Sequence, residues 1–234
     1  MSSFTHFDFA GPFLRRYDRF NHLASMGLDR YWRWFTARRV ADWYQLHEWT
    51  CPVLDLACGT GDMAAALRRQ AAKPAIFGSD PSAEMLELAR QKKHRFGWSR
   101  LYVCRAVSRL PLRDASVGAI TCAFGVRNFV RLREEMQECQ RVLRPQGRMY
   151  LLDFYQPQNL FSHALLQLYK KVIAPLLGVA LTGHAKPYDY LMASMYAFRT
   201  PAEMAELLKG IGMREAEIKS FFFGLVHLVI AEKI

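Results

Sequence analysis

The strongest constraint in this sequence is a rhythm that begins at Pro52, where short apolar runs start to alternate with helical patterns. The apolar runs are Val53 to Ala57, Ala75 to Ser79, Leu101 to Cys104, Val117 to Ala123 and Arg148 to Leu152. Between them lie helical patterns at Met63 to Gln70, Ala83 to Gln91 and Leu132 to Leu143, the last rich in acids and followed by a turn at Arg144-Pro-Gln-Gly147. Most of these runs are apolar at successive positions, so both strand faces need cover. Consecutive parallel strands need a crossover, and a helix supplies it. The pattern therefore predicts five parallel strands in an open sheet with helices on both faces. A chain of 234 residues with 51% apolar content can bury such a core within one domain.

The flanks modify this outline. Phe13 to Tyr44 places Phe13, Tyr17, Phe20, Leu23, Leu28, Trp32 and Phe35 at helical spacing, which predicts two helices broken at Gly27. Tyr155 to Arg199 interrupts the alternation with a long, largely helical insert. Thr200-Pro201-Ala202-Glu203 then reads as a capping box opening a helix that ends near Gly210 to Gly212. Two closing strands, about Glu215 to Phe222 and Leu225 to Ala231, are separated only by Gly224 and predict a hairpin. The expectation is an α/β, Rossmann-like, seven-stranded and mostly parallel sheet ending in an antiparallel hairpin, the outline of a class I methyltransferase. Within a single domain the parts are a helical cap (1–48), a cofactor-binding core (51–153), a helical insert (155–199) and a closing helix and hairpin (200–234).

The loop Val53-Leu-Asp-Leu-Ala-Cys-Gly59-Thr-Gly61-Asp62 joins the first strand to its helix, and its glycines let backbone amides approach a ligand. With Ala64 it also satisfies the dinucleotide pattern G-x-G-x-x-A, and charge separates the two readings. Asp55 and Asp62 would repel a pyrophosphate but suit the ammonium and sulfonium of S-adenosylmethionine. Asp80, 19 residues beyond Gly61 at the end of the second strand, is placed to take ribose hydroxyls, and with Pro81 and Glu84 following it could also cap the next helix.

Asp55-Leu-Ala-Cys-Gly-Thr-Gly-Asp62 together with Phe124-Gly-Val-Arg-Asn128 resembles the ubiquinone/menaquinone-biosynthesis C-methyltransferase family. The likeness extends over nearly the whole chain. It includes Tyr17-Asp18, Asn21, Ser25, Gly27 and Trp32, then Leu110-Pro111 and Arg141-Val-Leu-Arg-Pro with Gly147, and in the insert Tyr188, Tyr190-Leu191 and Ser194. The resemblance implies methyl transfer from S-adenosylmethionine to a ring carbon of a polyprenylated quinol, with demethylmenaquinol the first expectation and a benzoquinol left open. It assigns Thr60 and Asp80, with Asp55, Gly59 and Gly61, to the cofactor. Arg127 and Asn128 would face the ring. As aromatics, Tyr17, Tyr188 and Tyr190 could line an apolar pocket for the ring and its tail, and Asn21 and His184 are further substrate candidates, although His184-Ala-Lys186-Pro187 stands where acidic residues are common in the family. Ala106 and Ala123 stand where the family usually carries polar side chains near the adenine, so Val107 would offer only its backbone N–H there.

Quinol chemistry completes the expected site. A deprotonated quinol is a carbon nucleophile, so Arg127 and Asn128 would hold the quinol oxygen, with Asp153 the first candidate for a base and His184 the second. The plainer alternatives are that Arg127-Asn128 caps the next helix and Asp153 the insert. No residue pattern points to a metal: the five cysteines have no zinc spacing and read as free thiols in a reducing cytoplasm.

Net charge is +11, and the stretch from Arg90 to Arg113 holds eight lysines and arginines and no acid. Beside apolar segments such as Phe161 to Leu181, this run predicts reversible attachment of a cytoplasmic protein to an anionic membrane surface. Met1 to Ala10 lacks the order of a secretory signal, and the longest uncharged stretches are too short to span a bilayer. A nucleic-acid substrate would also suit the charge, but the chain has neither an Asn-Pro-Pro-Tyr run nor a Pro-Cys nucleophile, and no nucleic-acid partner is expected. A scaffold in a quinone-synthesis complex is the non-enzymatic alternative, and a homodimer is left open.

Overall fold

The computed structural model describes residues 18, 22, 23, 25–70, 74–92, 100–103, 109–168, 171 and 193–234, with only the backbone at 100–103, 215 and 216. Its elements in chain order are α1 (Leu28–Leu46), β1 (Val53–Leu56), α2 (Asp62–Gln70), β2 (Ile76–Asp80), α3 (Ala83–Gln91), β3 (Arg100–Val103) and β4 (Val117–Ala123). After these come α4 (Leu132–Val142), β5 (Leu143–Phe154), α5 (Leu160–Leu168), α6 (Pro201–Lys209), β6 (Met213–Phe221) and β7 (Val226–Lys233).

The seven strands form one sheet in the order β3-β2-β1-β4-β5-β7-β6. The first five are parallel, and β7 runs antiparallel to both β5 and β6. The class I outline expected from the alternation is therefore the observed one. Chain order reverses between β1 and β4, which leaves a crevice beyond their carboxyl ends where such sheets receive ligands.

Strand alternation sorts the side chains into two cores. Leu54, Leu56, Ile120, Cys122, Met149 and Leu151 pack toward α4 and α6. Val53, Ala119, Tyr150, Leu152, Leu228 and Ile230 pack on the other side, where α1 contributes Trp32, Ala37, Val40 and Tyr44. Asp55 and Thr121 are register partners on neighbouring strands, on the α1 side of the sheet. The side toward α1 thus carries two polar residues at the end of the strands that meets the crevice.

Gly27, with φ 76°, stands immediately before α1, at the predicted break, while most of the helix predicted ahead of it lies outside the described residues. Thr200 caps α6 through both halves of the predicted box. Two boundaries differ from expectation. Arg144 to Gly147 is not a turn ahead of a new strand but an excursion within β5: Val117 pairs with Leu143, yet Ala119 already pairs with Arg148. Gly147 allows it, since a Cβ there would lie 2.7 Å from Leu143 Cγ and 2.8 Å from the Arg144 carbonyl. The closing hairpin turns through Phe222, Phe223 and Gly224 together, all with positive φ, rather than through Gly224 alone. Of the helical insert, α5 and the helical residues 193–197 are described. Cys51, Cys58, Cys122 and Cys139 are free thiols, and Cys104 lies outside the described residues. Among the described residues, no helix is long and apolar enough to cross a membrane.

Candidate active site

The loop between β1 and α2 is shaped by left-handed residues at Ala57 (φ 51°), Gly59 (φ 53°) and Gly61 (φ 97°). Nothing lies within 4 Å of where a Gly59 Cβ would stand, so the glycine leaves an open approach to the backbone. Asp80, buried at the end of β2, receives the Gly59 amide on Oδ2 and the Ser82 amide on Oδ1, both at 2.9 Å. It therefore ties the two loops of the crevice together, while the N-cap of α3 is Ser82, whose hydroxyl takes the Met85 amide at 3.1 Å. Burial pushes the Asp80 carboxyl up, and the two amides oppose that shift.

Asp55 is almost completely buried, and its Oδ1 accepts the Thr121 hydroxyl at 3.0 Å. Its Oδ2 is sealed from solvent with no hydrogen-bond partner. Burial raises this carboxyl to about 7, against the opposing effects of Thr121, of the Arg33 charge and of the Ala64 amide. An unpartnered buried carboxylate oxygen is costly unless something cationic comes to it. Asp18 reaches the same loop: it accepts the Thr60 hydroxyl at 2.5 Å and pairs with Lys92. His22 Nε2 lies 3.8 Å from Asp62.

The second half of the site follows β4. Phe124, with φ 66°, leads into a short 3₁₀ helix, Val126 to Asn128. Arg127 donates from Nη1 to Asp153 Oδ1 at 2.5 Å and to the Phe124 carbonyl at 2.9 Å, and from Nε to the Ser194 hydroxyl at 3.3 Å. Its backbone amide reaches Asp153 Oδ2 at 3.1 Å, and the Phe154 amide reaches Oδ1 at 2.8 Å. The guanidinium lies 5.9 Å from the centre of the Phe154 ring. Burial pushes the Asp153 carboxyl up while Arg127 pulls it down. Asn128 is exposed and Ala123 half-buried at the same strand end. Neither Arg127 nor Asn128 caps α4, whose N-cap is Arg131, and the insert's first described helix is held by Asn159 rather than Asp153.

The structure thus brings Asp55, Gly59, Thr60, Gly61 and Asp80 to one rim of the crevice, and Ala123, Arg127, Asn128 and Asp153 to the adjoining strand ends. Tyr17, Asn21, Ala106, Val107, His184, Tyr188 and Tyr190 lie outside the described residues. Sequence reasoning missed Asp29 and Arg33. Arg33 pairs with Asp29, which also receives Ser25 Oγ at 2.8 Å and has His22 Nδ1 at 2.8 Å. The signal was in the periodicity: 29, 32, 33, 36, 37, 40 and 44 form the buried stripe of α1, and two charges sit on it.

A doubly glycine-kinked loop after β1, a buried acid at the end of β2 and an unpartnered buried carboxylate between them suit a cationic nucleoside, and with this topology they define a class I S-adenosylmethionine-dependent methyltransferase. Solved structures agree on the fold. A methyltransferase of this class from Aquifex aeolicus matches with a TM-score of 0.55 at 18% identity over 79% of this chain and 83% of its own. One from Thermotoga maritima gives 0.59 at 15% identity over 95% and 96%. The family model described as the ubiE/COQ5 methyltransferase family matches residues 11–233, and the chain belongs to that family. Among curated relatives, the demethylmenaquinone methyltransferase of Deinococcus radiodurans is 38% identical over 93% of this chain and 88% of its own length. That of Thermotoga maritima is 36% identical over 94% and 92%. The protein is an S-adenosylmethionine-dependent methyltransferase.

Proposed function

We propose that the protein methylates a ring carbon of demethylmenaquinol, the reduced naphthoquinol with a polyprenyl tail. The observation that carries this reading is Arg127: a guanidinium at the carboxyl ends of β4 and β5, fixed by Asp153, Ser194 and the Phe124 carbonyl beside the Phe154 ring. An oxidised quinone ring is too electron-poor to attack a methyl cation equivalent, so the substrate must be the quinol. Bound S-adenosylmethionine supplies an electrophilic methyl group and a neutral thioether leaving group, so the protein's task is alignment and charge.

Asp55, Gly59, Thr60, Gly61 and Asp80 would hold the cofactor, with Ala106, Val107 and Ala123 toward its adenine. Arg127, with Asn128 beside it, holds the quinol oxygen and stabilises the phenolate that makes the ring carbon nucleophilic. Arginine stays protonated, so it acts as a fixed charge and the phenolic proton leaves through water. Asp153 is a positioning residue in this scheme: its oxygens take three bonds, two of them from Arg127. Tyr17, Asn21, His184, Tyr188 and Tyr190, which lie outside the described residues, are the further residues assigned to ring and tail in this reading.

The same reading includes reversible attachment to an anionic membrane, where a polyprenylated quinol resides. Leu160, Phe161 and Phe223 are exposed on α5 and on the β6–β7 turn, at the end of the sheet that carries the site. Phe161 and Phe223 meet edge to face at 5.2 Å. Sedimentation with vesicles containing anionic lipid at low salt tests attachment; no pelleting would remove it. For the reaction, the purified protein is incubated in detergent with S-adenosylmethionine and a reduced short-chain demethylmenaquinone, and the ring is weighed by mass spectrometry. One added ring methyl supports the proposal. No product with the reduced state verified, and product from the matching benzoquinol instead, would refute the naphthoquinol assignment.

A further inference from the structure

Two arginine–aspartate pairs bracket one pair of phenylalanines. Phe124 and Phe154 pack with centroids 5.4 Å apart. Arg127, held by Asp153, lies against Phe154, and Arg33, held by Asp29, lies 5.0 Å from the centre of the Phe124 ring. The first pair serves the substrate end of the crevice in the reading above. The second lies on the α1 side of the sheet, the side on which Asp55 stands, and nothing yet described gives it a purpose there.

Arg33 is built as a binding group rather than a surface charge. It is 9% exposed, and its anchoring carboxylate is itself fixed by Ser25 and His22 around the Gly27 turn. Burial alone would push the Asp29 carboxyl up, but Arg33, Ser25 and His22 outweigh it and hold it below its ordinary value. Only Nη1 of Arg33 is spent on Asp29. Among the described residues, its Nε and Nη2 hydrogens meet no acceptor, and they are not among the polar atoms sealed from solvent. A guanidinium presents its donors as a planar fork, so the free edge matches a carboxylate.

Asp55 Oδ2 provides the complementary group, a buried carboxyl oxygen that makes no hydrogen bond, on a carboxyl that the Ala64 amide also favours in its ionised form. The methionyl end of the cofactor carries an ammonium and a carboxylate on one carbon, and a site for it needs an anion and a cation side by side. Of the cations around the loop, Lys92 is engaged by Asp18 and Asp62. Arg33 is the cation whose charge acts on Asp55.

We propose that Arg33 holds the carboxylate of the cofactor's methionyl group while Asp55 receives the ammonium beside it, Asp29 serving to position Arg33. The inference rests on the cofactor and is independent of which quinol is methylated. It also makes α1 part of the cofactor site rather than only a cover over it.

The test is calorimetric binding of two probes that contain the same thioadenosine. S-adenosylhomocysteine carries the amino acid end; 5′-methylthioadenosine lacks it. Arg33→Gln is expected to weaken S-adenosylhomocysteine roughly 10- to 100-fold, the range for losing a charge-assisted contact, and to leave methylthioadenosine within about two-fold. Arg33→Lys should recover part of the loss. Equal weakening of both probes would mean that Arg33 only braces α1, and unchanged S-adenosylhomocysteine affinity would overturn the proposal outright. Should Arg33→Gln not fold, Arg33→Lys decides with decarboxylated S-adenosylhomocysteine. The preference for the carboxylated probe must shrink relative to the unsubstituted protein, and an unchanged preference refutes the assignment.

Discussion

Replacing Asp153 by asparagine isolates the charge that orients Arg127. The carboxylate is fully buried and accepts Arg127 Nη1 at 2.5 Å, the Arg127 amide at 3.1 Å and the Phe154 amide at 2.8 Å. Asparagine has nearly the same shape but one acceptor oxygen, so its NH₂ group must face either the Arg127 amide or the guanidinium, donor to donor. One charge-assisted bond lost, at about 1.5–3 kcal/mol, and one donor left unsatisfied, at about 1–3 kcal/mol, would set the loss at about 2.5–6 kcal/mol. Arg127 keeps the Phe124 carbonyl and Ser194, which brings the expected loss toward the lower end, about 3 kcal/mol. A domain with about 5–15 kcal/mol of total stability should survive this. Urea titration gives the stability change, and single-turnover methylation of the reduced quinol at saturating cofactor gives the functional one. Because the guanidinium loses its fixed direction, turnover should fall about 10- to 100-fold with little change in affinity for S-adenosylhomocysteine. A stability change below about 1 kcal/mol, or turnover within a few-fold of the original, would refute the positioning argument.

Asp55 carries a pH prediction. Its carboxyl is raised to about 7 and the cofactor's ammonium favours the ionised form, so affinity for S-adenosylhomocysteine should rise through pH 7 with proton release on binding. Calorimetry in buffers of different ionisation enthalpy measures that release, and a flat profile would exclude the pairing. Without ligand the sign reverses for stability: the folded state retains a proton the unfolded chain has lost, so this group's contribution falls between about pH 4 and pH 7 and is level above. Gly125→Ala would put a Cβ 2.6 Å from Ala57 Cβ, where neither backbone can yield easily; the variant should lose about 1–3 kcal/mol and bind cofactor more weakly, as thermal melting and calorimetry would show. Thr200→Ala removes the hydroxyl half of the α6 capping box and should cost about 1 kcal/mol in urea titration with methylation unchanged.

Much of the scaffold was legible because its signals are local. Ala83 to Gln91 and Val117 to Ala123 are bounded by polar or turn residues on both sides, and the observed α3 and β4 have those limits. Arg144 to Gly147 misled for the opposite reason: Pro and Gly mark a turn, but whether the ladder resumes on the same strand depends on β4, far away in sequence. The cofactor loop could be read from its glycines and acids, since their spacing is itself the structure. Arg127 entered through resemblance, and its partnership with Asp153, 26 residues further on, depends on β4 and β5 being neighbours. Arg33 is different again. Its place on the apolar stripe of α1 was visible, but only the packing of α1 against the strand ends turns a buried charge into a candidate ligand group.

The position of β7 has a temporal meaning. It lies between β5 and β6 and pairs with β5 from Arg148 to Phe154, with Asp153 opposite His227. As the chain leaves the ribosome, β1 to β5 can assemble in order, but β5 then keeps an open, strongly apolar edge while the insert, α6 and β6 are still being made. The strand whose Asp153 orients Arg127 is therefore flanked on both sides only after β7 has slipped between two strands older than itself. A ribosome stalled before Val226 would hold a nascent chain with its β1–α2 loop in place and the Arg127–Asp153 end of its crevice unfinished.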